Sequence, residues 1–144
     1  MKKLLPIFLS IISLTLITSC GVTLDLYPVE GPLSSQIPVR VIKAKATNVI
    51  SNSGKISLTL EDGEYCEGRW SSTAGHGSSN NRSLLLEYGQ ELGLSTRGNE
   101  NRGYAMLLGT KGTIIDIEFI NGAGTAHGFG IAKDNKGNIF KVLF

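Results

Sequence analysis

Two histidines, His76 and His127, carry the side chains of this sequence best suited to chemistry near neutral pH. Each lies among glycines, in the segments AGHGSS and GTAHGFG, and glycine would let a backbone approach a ligand closely. A zinc centre or a hydrolase, however, needs a set of three or four cooperating groups. Two isolated histidines supply too few, so we predict no catalytic residue and no metal site. His76 and His127 stay as candidates for a ligand site only.

Two carboxylates, Asp116 and Glu118, form the second candidate group. They lie two residues apart on a segment, 112–120, that alternates like a strand, so they share one face. Paired carboxylates of this kind could serve acid–base chemistry. Three apolar residues, Ile115, Ile117 and Phe119, occupy the opposite face. The pattern therefore favours a solvated face opposite a core face.

A third candidate, Cys66, is a thiol with no evident partner. A strand over its neighbours would place Cys66 and Trp70 on one face. Free cysteine often behaves as a small apolar residue, and the sequence around it holds neither a CxxC spacing nor a histidine. We predict a buried structural thiol, with a redox or nucleophilic role as the alternative.

The N-terminal segment assigns a different chemistry to Cys20. Two lysines precede an apolar run that ends in Ile-Thr-Ser-Cys, a pattern typical of a secretory signal peptide. Its end resembles the lipobox of bacterial lipoproteins. That resemblance implies removal of residues 1–19, alkylation of the Cys20 thiol by diacylglycerol and often acylation of the new amino terminus. Two or three acyl chains suffice for stable membrane attachment. Gly21 is not the aspartate that marks inner-membrane retention in enteric bacteria, which favours the outer membrane, facing the periplasm.

Length and charge narrow the classes of function further. Residues 20–144 suffice for one domain. Lys2 and Lys3 leave with the signal peptide, so twelve basic and twelve acidic side chains remain. A neutral domain lacks the field that attracts a protein to a phosphate backbone. We predict no nucleic-acid partner and attribute membrane association to the lipid.

Prolines and glycines divide the mature chain. Pro28, Gly31 and Pro32 predict a lipid-attached extended connector over residues 20–35, followed by a single β-domain over 36–144. The alternative for residues 27–35 is a strand along the edge of the domain. Seven short strands with glycine-rich turns between them are predicted in that domain: 39–49, 55–61, 66–70, 103–108, 112–120, 127–132 and 139–144. Leucines at helical spacing predict one short helix near residues 83–94.

This pattern predicts an all-β fold, a small antiparallel sandwich or a partly open barrel. Its core should contain the residues on the inner strand faces: Ile56, Leu58, Leu60, Cys66, Trp70, Ile115, Ile117 and Phe119. The end of the chain should pair with 128–132 as a hairpin and contribute Phe140, Val142 and Phe144 to the core.

Three patches, YPVEGPL at 27–33, DGEYCEGRW at 62–70 and GIAKDNKGN at 130–138, resemble a group of small proteobacterial lipoproteins. The resemblance implies a location in the cell envelope. The resemblance implies no activity, no cofactor and no catalytic residue for this chain.

The sequence thus favours a lipid-anchored protein of the cell envelope, a non-catalytic binding or structural module that needs no cofactor. Its expected partners are the membrane, through the anchor, and an envelope protein or wall component. The alternative is a small periplasmic hydrolase or ligand-binding protein that uses the loops of His76 and His127.

Overall fold

Eight antiparallel strands form a closed barrel in a computed structural model, which describes residues 21–73, 83–94, 100–122 and 125–144. Each strand pairs with the next along the chain, and the last pairs with the first. The strands are β1 (Gly21–Glu30), β2 (Ile42–Thr47), β3 (Ser53–Thr59), β4 (Tyr65–Thr73), β5 (Glu100–Gly109), β6 (Ile114–Gly122), β7 (Gly128–Asp134) and β8 (Ile139–Leu143). The predicted all-β antiparallel fold is confirmed. Of the two predicted forms, a sandwich or a partly open barrel, the structure shows a barrel, and it is fully closed.

The predicted connector is wrong over most of its length. Residues Gly21–Glu30 form β1, which pairs with β2 on one side and with β8 on the other and so closes the barrel. The missing N–H of Pro28 is tolerated because the register with β8 shifts between Pro28 and Glu30. A 3₁₀ helix, Pro32–Ser35, follows directly. Residues 21–35 therefore belong to the β-domain, and the predicted alternative of a strand is present as far as Glu30.

Side chains alternate between the barrel interior and its outer surface, as the period-two runs predicted. Of the eight predicted core residues, seven are buried, and Leu60 is half-buried because it lies just beyond the end of β3. The predicted turn before β4 is also present. Its Gly63 has φ of 77°, a left-handed conformation that favours glycine.

The end of the chain completes the barrel. β7 and β8 pair as the predicted hairpin, and Phe140 and Val142 are fully buried in the interior while Phe144 is half-buried. Because β8 also pairs with β1, it joins the first and the last described strands in one sheet.

A second apolar cluster lies outside the barrel. The predicted helix is present as α1 (Leu84–Tyr88), and the hydroxyl of Ser83 caps it by accepting a hydrogen bond from the Leu86 N–H at 3.3 Å. Leu85 of α1 packs on outward-facing residues of three strands, Ile120, Ile131 and Ile139. None of the helices among the described residues is long and apolar enough to cross a membrane.

This helix changes the environment of the predicted carboxylate pair. Asp116 is exposed, but Glu118 is 1% exposed beneath α1. Glu118 accepts hydrogen bonds from the Ser83 hydroxyl at 2.9 Å and the Leu85 N–H at 3.1 Å. The prediction of a solvated pair is thus wrong for Glu118, because the strand pattern did not show that α1 covers this part of the outer face.

Candidate binding site

The two ends of the barrel differ in what fills them. At one end, here called the sealed end, β1 runs into the 3₁₀ helix and buried polar side chains close the interior. At the other, here called the open end, lie the start of β1, the loop between β2 and β3 and the last residue, Phe144. At the open end, the described residues surround a cavity that reaches into the barrel.

The cavity has a volume of about 530 Å³ and an apolar floor. Three aromatic rings contribute to that floor in an edge-to-face series. The Trp70 and Phe119 centroids lie 6.3 Å apart at 67°, and those of Phe119 and Phe144 lie 5.9 Å apart at 85°. Aliphatic side chains complete it: Val22, Leu24, Ala46 and Ile56. A ligand in the cavity would therefore contact mainly hydrocarbon and aromatic surface.

Glycine makes room for these rings. Gly103 of β5 is the direct cross-strand partner of Phe119 on β6, and a Cβ at this position would overlap the Phe119 ring. Small residues opposite large ones are the usual way in which a small barrel accommodates its interior. The position of the Phe119 ring in the cavity floor thus depends on the missing side chain of Gly103.

Trp70 is held in place by its indole nitrogen. The Nε1–H donates to the Thr47 carbonyl oxygen at 3.0 Å, and the side chain is 8% exposed. The polar atom of Trp70 is satisfied by the protein, so the ring offers a ligand apolar contact only.

Amide side chains surround the mouth of the cavity: Asn52, Asn101 and Asn121. The Oδ1 atom of Asn121 is buried and accepts no hydrogen bond from any described residue, while its Nδ2 donates weakly to the Thr125 carbonyl at 3.5 Å. Buried polar atoms in proteins are nearly always paired. The Asn121 oxygen is therefore a buried acceptor to which no described residue supplies a donor.

The sealed end differs from this mouth because its buried carboxylates accept several hydrogen bonds from within the protein. Glu64 is fully buried and accepts hydrogen bonds from the Thr113 hydroxyl at 2.5 Å, the Thr113 N–H at 3.0 Å and the Lys111 N–H at 2.8 Å. Lys136 adds an ion pair at 3.4 Å. These groups, the Thr113 hydroxyl first, lower the pKa of Glu64 to about 2. The arrangement keeps the carboxylate charged inside the barrel.

A second buried pair seals the same end. Asp134 accepts from the Asn138 N–H at 2.8 Å and from the Asn138 Nδ2 at 2.7 Å. Asn138 in turn accepts from the Leu33 N–H at 2.9 Å, which fixes the 3₁₀ helix over the barrel. These bonds serve structure, since each polar atom named here has its partner within the protein.

The sequence-based candidates do not form a site together. His127 is exposed, with no described carboxylate hydrogen-bonded to it, and it does not line the cavity. His76 and Cys20 lie outside the described residues. The described residues contain no cluster of three or more metal-ligating side chains.

Cys66 matches its prediction of a buried thiol. It is fully buried in the barrel core, and burial, followed by the negative charge of Glu64, raises its pKa. A raised pKa disfavours the reactive thiolate.

Sequence reasoning missed the cavity although it found part of the floor. Trp70 and Phe119 were predicted as core residues, but a pattern of alternation does not show which end of a barrel is filled. The rim residues Asn52, Asn101 and Asn121 occur in turn-like polar stretches, and their composition indicates a turn rather than a site.

No protein family, curated protein or solved structure matches this chain. The function proposed below is therefore argued from the barrel and its cavity.

Proposed function

We propose that this chain is a non-catalytic binding protein of the bacterial cell envelope, attached to a membrane by lipid on Cys20, that takes an apolar ligand into the open end of its barrel. The cavity is the observation that carries the proposal. Its volume of about 530 Å³ lies within the range of small-molecule sites. An eight-stranded barrel is also just wide enough to hold one small ligand.

The lining defines the chemistry of that ligand. The described residues around the cavity include no charged side chain, so the buried part of the ligand should be uncharged. The floor of Trp70, Phe119 and Phe144 favours a hydrocarbon or aromatic body. One hydrogen-bond donor near the mouth would satisfy the Asn121 oxygen.

The same lining supports a binding role over a hydrolytic one. The described residues of the cavity include serines, Ser51 and Ser72, but no histidine, cysteine or carboxylate that could activate a nucleophile. The ligand is therefore held and not transformed in this proposal.

A fluorescent probe tests the cavity directly. N-phenyl-1-naphthylamine is uncharged, has an aromatic body and carries one N–H donor. We expect saturable binding of one molecule per chain, with an increase in probe fluorescence. Ala46→Phe should abolish the binding because the new ring fills the cavity, and Asn121→Leu should weaken it roughly tenfold, the effect of one hydrogen bond.

Leu108→Ser is the matched control. Leu108 is 58% exposed on the outer surface of β5, away from the cavity. If probe binding is adsorption to apolar surface, Leu108→Ser will reduce it as much as Ala46→Phe does, and the cavity proposal fails. A circular dichroism melt of each variant separates lost binding from lost folding.

The anchor is tested separately by Cys20→Ala. This variant should accumulate as an unprocessed or soluble exported form, because the thiol that receives the lipid is gone. Mass spectrometry of the wild-type protein should show the mass of the attached acyl chains. A Cys20→Ala protein that is processed and still fractionates with membranes would contradict the lipid attachment without affecting the cavity.

A further inference from the structure

The chain enters the barrel beside the mouth of the cavity. Gly21 is the first residue of β1 and pairs with Thr47, and its neighbour Val22 lines the cavity. Cys20 is joined directly to Gly21, and one residue spans less than about 4 Å. A lipid on Cys20 would therefore attach the barrel by its open end, with no connector between the membrane and the fold.

Positive side chains occupy the outer surface near that end. Lys45, Lys55 and Arg69 lie on neighbouring strands β2, β3 and β4 and are exposed. Lys55 and Arg69 are direct cross-strand partners, an arrangement that is unfavourable without a counter-charge. None of the three forms a salt bridge with a described residue.

The next basic residue towards the sealed end is different. Lys43 of β2 has its own partner, Asp25 of β1, at 2.8 Å. At the sealed end itself the exposed charges form mixed pairs, Arg40 with Glu61 and Lys111 with Asp62. On strands β2, β3 and β4, the exposed basic side chains without a salt bridge to a described residue thus lie towards the open end, where they would meet anionic lipid headgroups.

Exposed apolar residues alone do not indicate which end of the barrel contacts a membrane. Ile50, in the loop at the mouth, is 88% exposed, and Ile37, in the loop between β1 and β2 at the sealed end, is 98% exposed. The position of Cys20 and the basic residues of the barrel instead indicate that the open end contacts the membrane. Ile50 and Ile37 form a matched pair of positions for testing this orientation.

We propose that the open end of the barrel rests on an anionic bilayer, so that the cavity faces the lipid phase and its ligand is a hydrocarbon chain. The inference rests on the proposed lipid at Cys20 and deepens the proposed function by naming the ligand class. This hydrocarbon ligand could come from either of two sources, a lipid of the bilayer or the acyl group on Cys20 itself. Both match the apolar floor of the cavity and its uncharged described lining.

Orientation is tested with the lipidated protein in vesicles of phosphatidylethanolamine and phosphatidylglycerol. Ile50→Cys and Ile37→Cys are each labelled with a fluorophore whose emission depends on polarity, while the buried thiol of Cys66 stays unreactive. We expect a blue shift at position 50 and emission typical of water at position 37. Equal emission at both positions, or a blue shift at 37, would overturn the proposed orientation.

The charges provide a second measure of the same surface. Lys55→Glu with Arg69→Glu should reverse much of the blue shift at position 50 while the protein stays in the membrane fraction. An unchanged blue shift would show that the basic residues do not contact the bilayer. Loss of the protein from the membrane fraction already in the wild type would instead indicate failure of the lipid attachment, so the two proposals fail differently.

The occupant of the cavity is identified through Trp70, which is the only tryptophan of the chain and lines the cavity. Vesicle lipids brominated on their acyl chains should quench its fluorescence if a bilayer chain enters, and Ala46→Phe should prevent the quenching. If the Cys20 acyl group enters instead, quenching is absent, and N-phenyl-1-naphthylamine binds to the Cys20→Ala protein but not to the lipidated one. Absence of quenching together with probe binding by the lipidated protein in vesicles would overturn the hydrocarbon ligand.

Discussion

The two ends of the barrel differ in the residues that close the interior. Both must close the space left where eight strands end. The sealed end uses buried carboxylates: Glu64 accepts hydrogen bonds from the neighbouring β5–β6 turn, and Asp134 accepts them from Asn138 in its own β7–β8 turn. The open end uses aromatic rings, and there the described residues leave about 530 Å³ unfilled and supply no donor to the Asn121 oxygen. The comparison separates an end closed by buried polar contacts from an end for which we propose a binding role.

The difference also shows where the barrel tolerates change. A buried polar network is stabilising only while every member is satisfied, so one substitution leaves several groups unpaired. An apolar floor around a cavity loses contacts in proportion to the atoms removed. Substitutions at the sealed end should therefore affect stability, whereas the loss of an aromatic ring at the open end should affect both stability and binding.

The largest effect is expected from a deletion that breaks both ends at once. Removing residues 139–144 removes β8, which pairs with both β7 and β1, and takes Phe140 and Val142 out of the core. The truncated chain should show no cooperative thermal unfolding by circular dichroism. A transition near that of the full protein would mean that β8 is peripheral and that the barrel closes without it.

Next in size is the loss of the largest aromatic side chain of the open end. Trp70→Ala should lower the free energy of unfolding by about 3–5 kcal/mol, the usual range for a buried large aromatic residue. It also removes the hydrogen bond to the Thr47 carbonyl. Urea denaturation followed by circular dichroism measures this change. A loss below about 1 kcal/mol would show that Trp70 serves the cavity and not the fold.

Much of this architecture could be predicted from the sequence, because local periodicity determines the strand faces. Ile56, Leu58 and Cys66 alternate with polar residues and are buried as predicted. β1 carries the same signal in Leu24 and Leu26, yet Pro28 and the following glycine made it resemble a connector. The period-two run was present and was outweighed by the proline, which the barrel accommodates at a register shift.

The site could be predicted far less, because it depends on contacts between distant parts of the chain. Glu64 reaches Thr113 and Lys136 across three different hairpins, and no local pattern shows that its carboxylate is buried. Glu118 was assigned to a solvated face for the same reason, since α1 covers it from a separate segment. The cavity is likewise a property of barrel closure and not of any single strand.

A matched pair of asparagines sharpens the comparison between the two ends. Asn138 is 2% exposed at the sealed end, and its side chain bonds to Asp134 and to the Leu33 N–H. Asn138→Ala should cost about 1–3 kcal/mol because it leaves buried groups unpaired. Asn121→Ala, at the open end, should change stability by less than about 0.5 kcal/mol while it weakens probe binding. Equal losses of stability would contradict the division of roles.

The smallest expected effect is a loss of stability at acid pH, which tests the buried carboxylate of Glu64 at the sealed end. The folded protein lowers the pKa of Glu64 from 4.5 to about 2, chiefly through the Thr113 hydroxyl. A lowered folded pKa gives stability that is fully present above the unfolded pKa and is lost as the pH falls from about 4.5 towards 2. The urea midpoint should therefore decline over that window. In Glu64→Gln the midpoint should start lower and the decline over that window should be shallower.

Glu67→Gln serves as the control for this acid dependence. Glu67 lies three residues further along the chain and its side chain is exposed, so its neutralisation should leave both the midpoint and its decline unchanged. If the wild type and Glu64→Gln lose stability in parallel between pH 4.5 and pH 2, the sealed end does not depend on the charge of Glu64. Its stability would then derive from the Asp134 and Asn138 pair, and the contrast with the open end would rest on that pair alone.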